Sequence, residues 1–168
     1  MYEGGCGTIR REEKHLAAGS DRRPGDITSC TLAGHGGRLL VDTVVNYVSS
    51  HTGLLLACKS GGAAALKSEE KKLRDKPPLV DPSHSFVPFA VDDWGRMAPL
   101  AYKLLGTLSE HGGEHSAGLG DGKQVAALLL HRWRQYISVA IHATTAQVAC
   151  DRIGHAMRAR NYTTTYAA

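Results

Sequence analysis

The chain has 168 residues, of which 42% are hydrophobic and 21% are charged, as is usual for one soluble globular domain with a real core. No apolar run approaches the roughly 18 residues of a membrane span, and the segment after Met1 lacks the apolar core of a signal peptide. These features exclude a helical membrane span from the sequence, and we expect an intracellular protein, nuclear if its host is eukaryotic. The net charge of +4 permits nucleic-acid binding without requiring it.

Residues 1–20 mix Gly, Arg, Glu and Ala without apolar periodicity, so we expect a flexible N-terminal arm with a short helix at 10–18. Downstream, the apolar patterns predict a small α/β domain in which a sheet is followed by helices. Pro88 marks its segment as an edge strand or a bulge. The predicted strands are at 25–30, 38–49 and 85–91, and the predicted helices are at 63–76, 97–111 and 124–160, the last as one helix or two. The pattern does not decide whether 51–62 is a helix or a strand.

A Gly-rich stretch interrupts this pattern. Residues 112–123 contain five glycines and are predicted to be a flexible linker between an α/β core at 21–111 and C-terminal helices at 124–168. Beyond the linker there are five arginines and one acid. The C-terminal helices are therefore the expected electrostatic face, with Arg132 and Arg134 as candidate contacts to nucleic-acid phosphates.

Four cysteines are scattered without a C-x-x-C pair, at Cys6, Cys30, Cys58 and Cys150. This spacing argues against a zinc knuckle and against a redox motif. In a reducing compartment they are most simply buried small residues or incidental exposed thiols.

Two aspartates stand beside the first two predicted strands, in the segments R-R-P-G-D-I and L-L-V-D-T-V-V. The Gly-rich turn between the strands can bring Asp26 and Asp42 together. Carboxylate oxygens suit Mg²⁺ or Mn²⁺, and such an ion can neutralise a phosphodiester and acidify a bound water. A lysine of the helix at 63–76, Lys71 or Lys72, can orient that water or stabilise the developing charge.

Each of these residues also has a purely structural interpretation. Pro-Gly-Asp is a turn signature, which favours a turn role for Asp26. A carboxylate inside an apolar strand is costly unless it is paired or metal-bound, so a functional role and a structural ion pair are equally good explanations of Asp42. For Lys71 and Lys72, a solvated helix face is the favoured explanation.

Five segments occur in an order that carries a family resemblance: R-R-P-G-D-I, L-V-D-T-V-V-N, E-E-K-K-L, F-V-P-F-A-V-D-D-W-G-R-M and R-W-R-Q-Y-I-S-V-A-I. This order resembles the restriction-like endonuclease region that follows the reverse transcriptase in some non-LTR retroelements. The similarity covers residues 21–145, and its most specific element is Phe86–Gly95. It implies a PD-(D/E)xK-type nuclease fold, a small sheet flanked by helices.

By this resemblance, Asp26 and Asp42 are the metal-binding acids, Lys72 is the catalytic lysine, and Asp92 has a supporting position where the family has a glutamate. The family's enzymes nick target DNA so that the exposed 3′ end primes reverse transcription. The resemblance therefore implies an endonuclease that uses Mg²⁺ or Mn²⁺, acts on DNA, and works with a reverse transcriptase encoded in the same element.

The sequence departs from the family pattern at three points. Leu73 replaces the tyrosine that follows the lysine pair, Thr43-Val44 replaces Val-Thr, and the N-terminal arm is too short for the helix expected to open the nuclease fold. A chain of this kind looks like a terminal fragment of a longer polyprotein. Arg22 and Arg23, just before the first strand, are candidate contacts to DNA phosphates.

Two other interpretations stay open. The chain can be a non-catalytic basic module that binds DNA or RNA through Arg132 and Arg134, in which case binding is salt-sensitive and indifferent to Asp26 and Asp42. Alternatively, it is a degenerate open reading frame without a retained activity, for which we expect a non-cooperative melting curve.

Two further patterns are explained without a functional role. His111 and His115 are spaced for one helical face, but the glycines between them make a helix improbable, so we expect no metal site there. Trp94 and Trp133 are expected to be core anchors rather than platforms for stacked bases.

Overall fold

A computed structural model describes residues 9–11, 26–29, 38–48, 50–76, 84–116, 118 and 121–165, with the backbone alone at 9–11 and 158–165. The fold is mixed α/β. Within these residues, no helix combines the length and the apolar character needed to cross a bilayer. The elements are β1 (Ile9–Arg11), β2 (Ile27–Ser29), β3 (Leu39–Asn46), α1 (His51–Ala57), α2 (Ala63–Asp75), β4 (Ser85–Asp92), α3 (Pro99–His115) and α4 (Gly122–Thr165).

The four strands form one sheet in the order β1-β2-β3-β4. The β1–β2 and β2–β3 pairs are antiparallel, whereas β3 and β4 are parallel. A parallel pair needs a long crossover, which α1 and α2 supply. The register sets Asp42 opposite Pro88, and β4 is the last strand in the order. Among the strands that the structure describes, β4 is therefore at the edge, as predicted from Pro88, because proline cannot donate to a further strand.

Helices cover both faces of the sheet. Because successive side chains of β3 point to opposite faces, its residues divide into two sets. Leu39 and Val41 pack on the face that also carries Leu104 and Leu108 of α3. On the other face, Val44 and Ala90 contact Ala65 of α2. The sheet is therefore a middle layer, and Asp42, an even-numbered residue of β3, points toward α2.

Most elements agree with the sequence-based predictions: strands occupy the three predicted segments and helices occupy 63–75, 99–111 and 124–160. The undecided segment 51–62 contains α1, and the C-terminal pattern is one helix. The short helix expected at 10–18 is wrong at residues 10 and 11, which belong to β1 and pair with β2. The remainder of that predicted helix lies outside the described residues. The arm therefore contributes a strand to the sheet.

The prediction of a linker over 112–123 is wrong at its two ends, because α3 continues through His115 and α4 begins at Gly122. The glycines serve close helix packing instead. A Cβ on Gly113 would lie 2.3 Å from the backbone oxygen of Gly122. Only a residue without a side chain permits this approach, so the glycine that suggested a break lets α4 lie against α3.

Candidate carboxylate and lysine site

Asp42 lies in the middle of β3 and is only 5% exposed. Its Oδ2 is 2.5 Å from Nζ of Lys72 and 3.7 Å from Nζ of Lys76, both at the C-terminal end of the α2 layer. The two lysines are four residues apart, so they stand on one face of the helical turn that crosses β3. Two ammonium groups thus neutralise a buried carboxylate, and their attraction offsets the cost of removing the aspartate from water in an apolar strand.

Lys72 is partly solvated, with 26% of its side chain exposed. The lysine side chain therefore reaches solvent, whereas the carboxylate that it contacts does not. Among the sequence-predicted residues, Asp42 and Lys72 are brought into direct contact. Lys71, the other lysine named from the sequence, instead lines a cleft between α1 and α2.

Asp26 stands just before β2 and contacts β3 through both its backbone and its side chain. Its N–H donates to the carbonyl of Val41 at 2.8 Å. Its Oδ2 accepts the N–H of Thr43 at 2.8 Å and also the Thr43 hydroxyl. The Asp26 carboxylate therefore accepts the Thr43 N–H in place of a backbone carbonyl. It adds one hydrogen bond to the β2–β3 pair just before the first residue of β2.

The carboxylates of the two aspartates have different partners, Thr43 for Asp26 and Lys72 for Asp42. Asp42 points toward α2, whereas the Thr43 hydroxyl that donates to Asp26 lies on the opposite face, since side chains alternate along a strand. To share one ion, Asp26 must turn away from that hydroxyl, and the ion must compete with Lys72 for Asp42. Both lysines contact Oδ2 of Asp42, and both Thr43 groups contact Oδ2 of Asp26.

The donor set fits a hard cation better than a soft one. Across the residues that the structure describes, no group of three or more His, Cys, Asp and Glu side chains is placed to hold a metal ion. Two carboxylates with water as the remaining ligand are nevertheless a set that Mg²⁺ accepts, because Mg²⁺ dehydrates reluctantly and keeps several waters. The chemistry of these oxygens is therefore compatible with the predicted ion.

Asp92, the supporting acid of the resemblance, organises the turn after β4. It is fully buried, and its oxygens accept the N–H groups of Trp94 and Arg96 at 3.0 and 2.9 Å and the Nε–H of Arg96 at 2.8 Å. These contacts close the turn and explain the residue without a catalytic role. The same turn presents Trp94 to solvent with 67% of its surface exposed, so the expectation of a core anchor is wrong for Trp94.

The predicted nucleic-acid contacts fall in two groups. Arg22 and Arg23 lie outside the described residues. On α4, the Nε–H of Arg132 donates to the Tyr136 hydroxyl at 2.9 Å, and the Arg134 guanidinium lies 5.3 Å from the centre of the Tyr102 ring. Both arginines are exposed, and each rests on an aromatic ring that limits its motion.

A basic cleft between α1 and α2 was not anticipated from the sequence. It has a volume of about 540 Å³. Its walls carry three cations, Lys67, Lys71 and Arg74, against one acid, Glu70. The sequence does contain a pattern that predicts such a basic surface, because the three cations are at positions i, i+4 and i+7 of one helix and therefore share a face. Helix α2 thus has two basic edges, one directed at Asp42 and one at this cleft.

No protein-family model, curated protein or solved structure matches this chain. The family resemblance read from the motifs stays a prediction.

Proposed function

We propose that the chain is part of a retroelement-derived, metal-dependent DNA endonuclease of restriction-like fold, with Asp42, Lys72 and Asp26 at its catalytic centre. One observation carries the proposal: the buried carboxylate of Asp42 lies 2.5 Å from the ammonium of Lys72. An acid from strand β3 and a lysine from helix α2 are the pair that the motif resemblance names, and they meet although their positions differ by thirty in the chain.

The roles follow from the chemistry of the side chains. When bound, Mg²⁺ or Mn²⁺ supplies charge neutralisation and an acidic water. Asp42 and Asp26 are the side chains that would hold it. Lys72, whose Nζ lies 2.5 Å from Oδ2 of Asp42, would stand beside an ion held by that carboxylate. Its ammonium can then orient the attacking water or stabilise the charge that develops on the phosphate.

The basic cleft supports DNA as the substrate. Lys67, Lys71 and Arg74 stand on the other edge of the same helix that bears Lys72, so a phosphate chain in the cleft would run beside the catalytic helix. The Asn46 amide also lines the cleft. One of its N–H groups donates to the Val91 carbonyl, and its second N–H is a further donor to a phosphate oxygen. Electrostatic contacts of this kind hold the duplex without reading its sequence.

Nicking of supercoiled plasmid tests the proposal. The wild-type protein should convert supercoiled to open-circular DNA with Mg²⁺ or Mn²⁺ and should lose this activity in a chelator. Asp42→Asn and Lys72→Met should each lower the rate by about 100-fold or more, because each removes a group that acts in the transition state. Asp151→Asn and Lys103→Met alter exposed residues of α4 and α3 and should nick like the wild type. Equal nicking by Asp42→Asn and wild type would refute the site.

Binding without cleavage is the second candidate function, and the basic cleft favours it. In this case the protein binds DNA or RNA, and Asp42→Asn leaves the affinity unchanged. Lys67→Gln or Lys71→Gln should each reduce the slope of log affinity against log salt by about 0.9 for every lost phosphate contact to duplex DNA. The double variant of Arg132 and Arg134 to Gln separates the cleft from α4 as the binding surface, and Lys103→Gln is the matched control.

A further inference from the structure

Two histidines stand one turn apart near the C-terminal end of α3. The Nε2 atoms of His111 and His115 are 3.1 Å apart. Their rings are nearly perpendicular, at 83°, with centroids separated by 4.3 Å. The outer nitrogens of the two rings are therefore the atoms that lie next to each other.

The helix that carries this pair is held by packing and does not end at its glycines. A Cβ on Gly112 would meet the Leu129 side chain at 2.9 Å, and one on Gly113 would meet Ala126 at 3.0 Å. Helix α4 therefore lies directly against this turn of α3 and supports the turn from behind. His111 is itself largely enclosed, with only 16% of its side chain exposed. The backbone spacing of the two histidines is thus fixed by contacts on the opposite side of the helix.

The spacing of the nitrogens matches that of two ligands on one ion. Imidazole nitrogens bind Zn²⁺ at about 2.0–2.1 Å, which separates two of them by about 2.9 Å at a right angle and about 3.3 Å at a tetrahedral angle. The 3.1 Å separation of His111 and His115 lies between these values. A shared proton between the two nitrogens gives a similar distance, so a metal ion would replace that proton.

A carboxylate lies near the other nitrogen of the His111 ring, beyond hydrogen-bond distance. Oε2 of Glu114 is 4.0 Å from Nδ1 of His111. Metal-bound histidines commonly donate their second N–H to a carboxylate, which fixes the tautomer and leaves the outer nitrogen as the ligand. Glu114 is exposed and can close the remaining distance by rotation of its side chain. This contact, which is independent of the Nε2 spacing, favours metal ligation by Nε2 of His111.

We propose that His111 and His115 chelate a late first-row divalent ion, with Cu²⁺ bound more tightly than Ni²⁺ or Zn²⁺, and with solvent completing the coordination. Imidazole suits these metals, and their affinities follow the Irving–Williams order. The site differs in chemistry from the carboxylates proposed to hold Mg²⁺, and it does not depend on the nuclease proposal.

Calorimetric titration of the purified chain with Cu²⁺ and with Zn²⁺, in a buffer that does not bind metals, tests the proposal. The expected result is one ion per chain, and an electron paramagnetic resonance spectrum of the Cu²⁺ form that shows two equatorial nitrogens. His115→Ala and His111→Gln should each weaken binding by about 100-fold, because each leaves a single ligand without a chelate partner. The exposed His142 on α4 supplies the control, and His142→Ala should bind like the wild type.

Two results would overturn the site: Cu²⁺ affinity retained in both His111 and His115 variants, or equal losses in the His142 variant. Folding is monitored by thermal melting without metal, so that a loss of binding is not confused with a loss of structure. Saturating Zn²⁺ should raise the melting temperature of the wild type but not of His115→Ala, since a ligand stabilises only the state that binds it. A rise in both would place the ion elsewhere and would also refute the proposal.

Discussion

The carboxylate of Glu69 in α2 accepts a hydrogen bond from the backbone N–H of Leu100 at 2.8 Å, so one helix caps the start of the next. Helix α3 has no capping side chain of its own, because Ala98 occupies the N-cap position and Pro99 lacks an N–H. Glu69 is 4% exposed, and its charge lies at the positive end of α3. The contact joins the two layers that enclose the sheet.

Replacing Glu69 by alanine should lower the free energy of unfolding by about 1–3 kcal/mol, because the Leu100 N–H loses its acceptor in a buried place. Glu69→Gln keeps an oxygen acceptor and should cost less. Glu70→Ala, at the exposed neighbouring position, should change stability by less than about 0.5 kcal/mol. Urea unfolding of the three variants measures these values. Equal effects at positions 69 and 70 would show that the cap contributes nothing.

The Asp42–Lys72 contact should appear as energetic coupling between the two positions. Asp42→Ala leaves the lysines without their acid and should cost about 2–3 kcal/mol, a value reduced from that of a fully buried pair because Lys72 is partly solvated. Lys72→Met should cost less, since Lys76 remains 3.7 Å from the carboxylate. In a double-mutant cycle followed by urea unfolding, the coupling should exceed about 1 kcal/mol. Additive effects would mean that the two charges do not interact.

Two glycines of α3 should respond to alanine with opposite signs. Gly113→Ala forces a Cβ to 2.3 Å from the Gly122 oxygen and should destabilise the fold by about 1–3 kcal/mol. Gly106→Ala meets nothing within 4 Å, and it should stabilise by about 0.4–1 kcal/mol through a lower entropy of the unfolded chain. Thermal melting measures both changes. Stabilisation by Gly113→Ala would contradict the close packing of α3 and α4.

Variants of Asp26 and Thr43 distinguish a structural role of Asp26, as a hydrogen-bond acceptor for β3, from a catalytic role. Thr43→Val removes the hydroxyl donor but keeps the backbone N–H, so it should cost about 0.5–1.5 kcal/mol of stability and leave plasmid nicking intact. Asp26→Asn keeps an acceptor for that N–H but lowers the affinity for Mg²⁺, so it should remove nicking with a smaller effect on stability. If Asp26→Asn nicks normally, the residue has a structural role alone.

Residue composition over short segments predicted several helices and strands correctly. The apolar run around Asp42 specified a strand, but coverage on both faces holds only for Leu39–Asp42, since Thr43 and Val45 are exposed. The Ala, Leu, Glu and Lys content of 63–76 specified α2. Pro88 specified the edge of the sheet. These signals lie within a few residues of the element that they describe, so tertiary contacts did not override them.

The misjudged features depend on three-dimensional geometry that composition and residue spacing do not specify. Gly113 suggested a break because its use in packing requires knowledge of Gly122, which lies across the helix pair. Trp94 is exposed because Asp92 fixes a turn that directs it outward. The choice between Lys71 and Lys72 could not be made from their adjacent positions, since only the docking angle of α2 decides which lysine meets Asp42.

Helix α2 presents different cations to two places, so its rotational phase matters as much as its composition. A one-residue insertion inside α2, between Ala65 and Leu66, would turn every later side chain by about 100° relative to Ala65, which packs on the sheet, and would move Lys72 off the carboxylate and Lys71 out of the cleft together. An insertion of four residues would return them to within about 40° of their first directions. Insertions at this point of the helix should therefore be tolerated periodically, and the two basic edges should be lost and regained in step.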